Sequence, residues 1–218
     1  HFNSKATYLF SVRQSYLQLL FKLLGLPFLP NYIDAQAKIR IRPSERYEIT
    51  FLGLMGIDRL RLNLDDREGE NEYILSYIPK IEQETFTLGA TLKHFGGEHI
   101  QTFSVGYSFL ANRNRKYIDN DESSEEDLRL RLRSTEGKAT ARFENRSLLG
   151  RWRLREGAEL SLRHFLVTSK QRLTSGEQLF FNYDTRLLFV GYALFFSADY
   201  RSLNERFTAS VGVRADGA

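Results

Sequence analysis

Residues 101–110 read "QTFSVGYSFL", a stretch in which apolar and polar side chains alternate at every second position. Successive side chains of a β-strand point to opposite faces, so this pattern predicts a strand with one apolar and one polar face. The apolar set is Phe103, Val105, Tyr107 and Phe109, and the polar set is Thr102, Ser104, Gly106 and Ser108.

The same alternation recurs along the chain and predicts nine strands, with neighbours in the sequence pairing antiparallel. One of them begins in "EEDLRLRLRS" at 125–134 and continues into 138–146 as a single long strand. The other regular strands are 35–42, 85–93, 101–110, 186–200 and 206–214, and the less regular ones are 6–13, 47–57 and 153–165.

Short and long connections alternate strictly between these strands. The short ones are "PSER" at 43–46, "GGE" at 96–98, "LLGRW" at 148–152 and "SLNE" at 202–205. The long ones are 14–31, 58–83, 112–126 and 166–183. Bacterial outer-membrane barrels have short periplasmic turns and long outer loops, so the alternation favours such a barrel.

Composition excludes several other classes of protein. The 218 residues are 42% hydrophobic and 27% charged, which is typical of a folded chain, and there is no cysteine for disulfides or thiolate metal sites. The net charge of +4 comes from interleaved acids and bases, which does not favour a nucleic-acid surface. The most apolar run, 16–29, is shorter than the roughly 18 residues of a membrane-spanning helix and contains Lys22 and Pro27.

Two architectures share the two-faced strand pattern. In a soluble sandwich the apolar face packs in a core, whereas in a membrane barrel it faces lipid and the polar face lines a wet lumen. Strands longer than the usual five or six residues, together with the loop alternation, favour the barrel. Within 128–133 we therefore expect Leu128, Leu130 and Leu132 to face lipid and Arg129, Arg131 and Arg133 to face the lumen.

Four stretches resemble the barrel of TonB-dependent outer-membrane receptors of Gram-negative bacteria. They are "SVRQSYLQLL" (11–20), "ITFLGLMGID" (49–58), "RLRSTEGKATARFENRS" (131–147) and "RFTASVGVRADG" (206–217), and the resemblance runs from about residue 6 onward. It implies an all-β fold, an antiparallel transmembrane β-barrel of which this chain supplies about nine strands. We expect residues 1–218 to be one segment of a single barrel domain, with the plug domain and the C-terminal strand absent from this chain.

The resemblance implies uptake of a bulky scarce solute such as a metal chelate, vitamin or glycan. The implied location is the outer membrane, and the implied partners are outer-membrane lipid and lipopolysaccharide, the TonB energising system acting through the plug, and a surface lipoprotein over the loops. No enzymatic activity is expected, because no nucleophile-elbow or phosphate-loop spacing occurs. No nucleic-acid partner is expected, because acidic residues offset the basic ones, and no cofactor is expected. The alternatives are a soluble all-β module with an anionic partner and an outer-membrane barrel enzyme.

Candidate site residues lie in the predicted loops. Tyr117 and Tyr183 are candidates for contact with a solute. Asp119, Asp121 and Glu122 belong to the acidic run "DNDESSEED" at 119–127, which lacks the Gly and Glu positions of a calcium-binding EF-hand and leaves only a looser cation site.

Apolar residues between Ser15 and Leu24 recur at helical spacing. We therefore expect a short helix in an outer loop, with Ser15 capping its start, packed on neighbouring loops or binding a partner. Aromatic residues near strand ends suit a membrane-interface girdle. The aromatic set is Tyr8, Tyr16, Tyr32, Tyr47, Tyr107, Trp152, Tyr192 and Tyr200, of which Tyr107 and Tyr192 are expected nearer mid-strand.

Overall fold

The computed structural model describes residues 5–65, 69–175, 177–202 and 206–218, and the side chains of residues 173–180 are outside its description. Its described residues form one antiparallel sheet in which nine strands pair in sequence order. The strands are β1 (Ala6–Gln14), β2 (Phe28–Ser44), β3 (Tyr47–Leu62), β4 (Lys80–Gly96), β5 (His99–Tyr117), β6 (Leu128–Leu149), β7 (Trp152–Ser175), β8 (Glu177–Arg201) and β9 (Thr208–Gly217).

The predicted nine strands are confirmed, but most are longer than the alternation indicates. The predicted long loop 166–183 is wrong, because β7 runs to Ser175 and β8 starts at Glu177. Both faces carry polar residues there, so the alternation of apolar and polar residues is lost from the sequence although the two strands continue to pair. Of the predicted turn 202–205, residues 203–205 lie outside the described residues.

Register places large apolar side chains in continuous rows across one face of the sheet. One row crosses six strands as direct antiparallel partners: Phe51, Ala90, Val105, Ala141, Leu160 and Tyr192. Val105 is 43% exposed and Leu160 is 55% exposed, although both lie in the middle of long paired strands. This face, called the apolar face below, therefore exposes its hydrophobic residues along the centre of the sheet, as a wall that contacts lipid does.

The apolar band has nearly the height of the lipid-facing band of an outer-membrane barrel, which is about 25 Å. On β5 it runs from Phe103 to Ala111, and eight steps of about 3.3 Å on a strand tilted by about 40° span about 20 Å. Aromatic and polar side chains border it next to the short turns. Tyr47 stacks on His94 with ring centroids 4.9 Å apart, and Trp152 lies 5.0 Å from Tyr200.

The opposite face, called the polar face below, includes Leu130 and Leu132, which corrects the expected orientation of "LRLRLR". Leu130 pairs with Lys116 and Leu132 with Asn114, whereas Arg131 and Arg133 pair with Arg115 and Arg113. Because β5 and β6 keep an unbroken register from there to Phe103 and Phe143, Arg131 and Arg133 share the apolar face. Leu128 and Arg129 adjoin a register shift at the end of the ladder, and Leu128 is buried.

This inversion has a positional cause. On the apolar face of β6 the last apolar side chain before the outer end is Ala139. Arg133 and Arg131 lie beyond it, past Gly137 and Thr135. Above the hydrocarbon layer the apolar face meets polar headgroups instead of acyl chains, and arginine is well tolerated there.

Two short helices occupy the long connections at the outer end of the sheet. Helix α1 (Leu17–Leu23) follows β1, and helix α2 (Glu70–Tyr77) follows β3. The predicted helix within Ser15–Leu24 is confirmed, and Ser15 Oγ accepts a hydrogen bond from Leu17 N–H at 3.1 Å.

Among the described residues, no helix is both long enough and apolar enough to cross a membrane.

Candidate functional site: the polar face and its outer loops

A row of seven residues, four of them charged, crosses the polar face near the short turns. Its members are direct register partners from β3 to β9: Glu48, Lys93, Thr102, Glu144, Gly157, Phe195 and Arg214. We call this row the inner belt. It places two buried carboxylates on the polar face, three strands apart.

Glu48 is the first of these carboxylates and is only 6% exposed. Arg40 Nε donates to Glu48 Oε2 at 2.8 Å and Arg42 Nε donates to the same oxygen at 2.7 Å, while Lys93 Nζ lies 3.7 Å from Oε1. Three cations thus surround one carboxylate, which satisfies the buried acid and leaves an excess of positive charge.

Glu144 repeats this arrangement on β6, also at 6% exposure. Arg142, Arg146 and Arg155 donate to its carboxylate at 3.0, 2.6 and 2.9 Å. Arg142 additionally donates to Glu159 at 3.2 Å. The network holds several long side chains in place on the sheet, and together they form a rigid, positively charged surface.

Phe195 extends the inner belt between Glu144 and β9. A Cβ on Gly157 would lie only 2.4 Å from the Phe195 ring, so the absence of a side chain at this position lets the ring lie flat against the strand. The guanidinium carbon of Arg142 lies 4.6 Å from the ring centroid, and those of Arg155 and Arg214 lie 5.7 and 6.0 Å away. The ring therefore contributes to holding the arginines by cation–π attraction.

Helix α2 is held over the outer end of the polar face. Lys116, a polar-face residue of β5, donates to the Leu75 carbonyl and, at 2.6 Å, to Asn120 Oδ1. Asn120 Nδ2 donates to the same carbonyl at 3.3 Å, and Leu75 is 3% exposed. These contacts fix the helix above the polar face.

A pair of tyrosines on α2, which the sequence analysis did not single out, faces solvent. Tyr73 and Tyr77 are about two-thirds exposed, and their ring centroids are 4.8 Å apart. Hydrogen bonding with Tyr73 raises the pKa of Tyr77, because it favours the protonated hydroxyl of Tyr77. The i, i+4 spacing in "ENEYILSY" is the sequence signal that could have found them, once a helix had been predicted there.

The two predicted tyrosines lie in different environments. Tyr117 is 7% exposed at the end of β5, and its hydroxyl accepts a hydrogen bond from Arg131 Nη2 at 3.1 Å. Tyr183 is 52% exposed on β8, where it pairs with the buried Ser169 of the polar face. Of the two, Tyr183 has the surface needed to contact a solute.

The predicted acidic residues bond to different partners. Asp121 Oδ1 accepts from Ser123 N–H at 2.9 Å, which lowers the pKa of Asp121, and Glu122 forms an ion pair with Lys80. Asp119 is exposed, in the left-handed backbone region at φ 51°. In the described ranges, no group of three or more His, Asp or Glu is arranged to hold a metal ion.

Helix α1 lies at the outer end of the sheet, and two histidines flank the "GGE" turn at the other end. Leu20 and Leu23 are half to three-quarters exposed, and Phe21 packs edge-on against Phe28 at 5.5 Å. His94 and His99 make separate hydrogen bonds, to Gln101 at 3.3 Å and to Ser147 at 2.8 Å, so they do not converge on one another.

Comparisons with known proteins gave no match to a protein-family model and no match among curated proteins. Solved structures do match. The copper transporter OprC superposes with a TM-score of 0.69 at 12% identity, over 98% of this chain and 33% of that one. The ferripyoverdine receptor of the outer membrane of Pseudomonas aeruginosa matches with a TM-score of 0.64 at 10% identity, over 97% and 32%.

The ferric yersiniabactin uptake receptor FyuA of Yersinia pestis also matches, with a TM-score of 0.53 at 10% identity, over 86% of this chain and 34% of that one. This chain spans about a third of the length of these structures. The neighbours are TonB-dependent outer-membrane receptors, and at these identities the likeness establishes the fold. The predicted all-β fold, a segment of an outer-membrane β-barrel, is confirmed.

Proposed function

We propose that this chain is part of the wall of a TonB-dependent outer-membrane transporter that imports a scarce metal or metal chelate. The observation that carries the proposal is the sheet itself, with an exposed apolar band on one face and a charged belt on the other. A soluble all-β module would bury the row that contains Val105 and Leu160, and here both are about half exposed.

The solute class follows from chemistry and from the names of the matching structures. Copper, ferripyoverdine and ferric yersiniabactin appear in those names. Of the three classes expected from the sequence, a metal chelate therefore has the most support. Many metal chelates carry carboxylate or other anionic groups, which the cationic excess around Glu48 and Glu144 would attract.

Each end of the polar face has its own role in this proposal. The inner belt seats a plug domain supplied from outside residues 1–218, through which the TonB energising system acts. The outer loops capture the solute, with Tyr73 and Tyr77 on α2 and Tyr183 on β8 as exposed aromatic contacts. Lipid and lipopolysaccharide surround the apolar face. A surface lipoprotein that covers the outer loops is a further proposed partner.

Uptake in the source bacterium tests the proposal. Cells deleted for the gene should lose accumulation of a radiolabelled copper or ferric chelate from a panel, and so should cells that lack the TonB system. Complementation with Tyr73→Ala/Tyr77→Ala should leave the protein in the outer-membrane fraction and weaken uptake at low chelate concentration. Recovery of the native protein in the soluble fraction without detergent would contradict it.

A further inference from the structure

The turn that follows β5 brings a lysine and an asparagine into direct contact. Lys116 Nζ donates a hydrogen bond to Asn120 Oδ1 at 2.6 Å, and both Lys116 Nζ and Asn120 Nδ2 donate to the Leu75 carbonyl of α2. Since a C=O bond is about 1.23 Å long, Nζ lies less than about 4 Å from the Cγ carbon of Asn120. The amine and the amide carbon are therefore held close to the separation of about 3–3.5 Å from which atoms react.

The surroundings of Lys116 favour its neutral, nucleophilic form. Both acceptors that Nζ contacts in the described part of the chain are neutral oxygens, and no carboxylate there lies within ion-pair distance of it. Lys116 is half-buried and lies beyond Ala111, outside the apolar band. Burial lowers the pKa of its amine, an effect that the charge of Asp119 opposes. A larger fraction of this amine is therefore unprotonated than in an exposed lysine.

The backbone of the turn holds the two groups together. Asp119 and Asn120 are consecutive non-glycine residues in the left-handed region, at φ 51° and 62°. Such a conformation persists where the surrounding contacts maintain it, and here it returns the Asn120 side chain to Lys116. Asp119 also supplies a carboxylate whose charge acts on Lys116. The range 116–120 thus contains a nucleophile, an electrophilic carbon and a group that can carry a proton between them.

We propose that Lys116 and Asn120 react with each other in the folded protein and form an isopeptide bond. Lys116 Nζ attacks Asn120 Cγ, an Nζ–Cγ bond forms, and the Cγ–Nδ2 bond of the tetrahedral intermediate then breaks. Asp119 accepts a proton from Nζ and delivers it to Nδ2, which leaves as ammonia. The reaction therefore balances without an oxidant, a reductant or another co-reactant.

The product keeps the contacts of the outer connections. One N–H remains on Nζ and donates to the Leu75 carbonyl, so α2 is held by a neutral amide in place of an ammonium group. The bond closes residues 116–120 into a covalent ring and fixes the start of the connection between β5 and β6. The inference does not depend on the proposed transport, because it uses only contacts within the outer connections.

Peptide mass spectrometry of the full-length protein, purified in its folded form from outer membranes and denatured before digestion, tests the proposal. Trypsin cleaves after a free lysine but not after a lysine whose amine is part of an amide. The linked protein should yield residues 116–129 as one peptide, lighter than its sequence mass by one molecule of ammonia. A peptide of full sequence mass that begins at Tyr117 would overturn the proposal.

Substitutions of the reacting groups provide the second part of the test. Lys116→Arg keeps a hydrogen-bond donor without a free amine, and Asn120→Ala removes the amide carbon, so both should lose the lighter peptide completely. Asp119→Asn should slow its appearance after refolding, and an unchanged rate would contradict the role of Asp119. The matched control is Lys80→Arg, which changes another lysine of the outer end and should retain all of the linked peptide.

Loss of ammonia has a second possible source that the same samples distinguish. Asn120 would also lose ammonia by closing a succinimide ring with the backbone nitrogen of Asp121. That ring would persist in Lys116→Arg and would leave the wild type open to cleavage after Lys116, and either result would overturn the isopeptide bond. Heat-shifted migration on SDS gels reports the folding of each variant. Wild-type protein that is kept unfolded in urea should lack the linked peptide, and its presence there would contradict a reaction that requires the folded contacts.

Discussion

At the scale of single residues, the bonds around Glu144 lead to a prediction about stability. Three arginines donate to this carboxylate, which is almost inaccessible to solvent. Glu144→Gln removes the negative charge and leaves three guanidinium groups clustered, and breaking a buried ion pair in this way costs about 3 kcal/mol. The folded, SDS-resistant form should therefore convert to the unfolded form at a clearly lower temperature.

Glu159→Gln is the matched control for that change. Glu159 is more exposed and binds Arg142 alone, at 3.2 Å, so its loss should lower the transition temperature much less. Equal transition temperatures for the two variants would contradict the assigned role of Glu144. The transition temperature of each variant is measured from its gel mobility after incubation at increasing temperature.

The arginines of "LRLRLR" illustrate how far single residues could be predicted. Alternation established correctly that Leu130 and Arg131 lie on opposite faces, but the local pattern alone assigned the leucines to lipid. The continuous strand already predicted through 138–146 contains the correction, because Arg131 has the same parity as Ala139, Ala141 and Phe143. What the local pattern lacked was height in the membrane, which decides whether a face at a given position meets acyl chains or headgroups.

At the scale of a strand, the corrected faces make a prediction about β5 and β6. Val105→Arg places a charge in the middle of the apolar band, which costs about 2–4 kcal/mol at the bilayer midplane, and should reduce the amount of folded protein in the outer membrane. Ser104→Arg is its neighbour on the polar face and should assemble. Leu130→Arg should also assemble, because Leu130 shares the polar face.

The intensity of the heat-shifted band in isolated outer membranes measures the amount of folded protein for each of these three variants. If Leu130→Arg blocked assembly as strongly as Val105→Arg, the register-based faces would be wrong.

At the scale of the outer connections, Lys116 is predicted to anchor helix α2. Lys116→Met removes the donors to the Leu75 carbonyl and to Asn120, so the connection between β3 and β4 should be cut faster by external protease on intact cells. Lys138→Met removes a polar-face cation of β6 outside this contact and serves as the control. Equal cleavage rates of Lys116→Met, the control and the wild type would contradict the anchoring role.

The elements themselves were largely accessible to prediction, and their ends were not. Strong two-faced patterns at 85–93 and 101–110 fell inside β4 and β5, whereas the extensions beyond Leu110 carry polar residues on both faces and show no contrast to read. The paired outer ends of β7 and β8 were predicted as the loop 166–183 for the same reason.

At the scale of the whole molecule, the order and pairing of the strands were predictable because nearest-neighbour antiparallel pairing follows from short turns. The inner belt was not, since its members are scattered from Glu48 to Arg214 and only the register of seven strands aligns them. The inner belt is therefore a product of register, which a single sequence without pairing information leaves open.

The central claim is that the apolar face contacts lipid in a membrane. Because the chain has no cysteine, single cysteines at 102–109 can be spin-labelled one at a time in the protein reconstituted into bilayers. Collision with oxygen, which concentrates in hydrocarbon, should be high at positions 103, 105, 107 and 109 and low at 102, 104, 106 and 108. High accessibility of the odd positions to a water-soluble nickel chelate, or no period of two, would contradict the account.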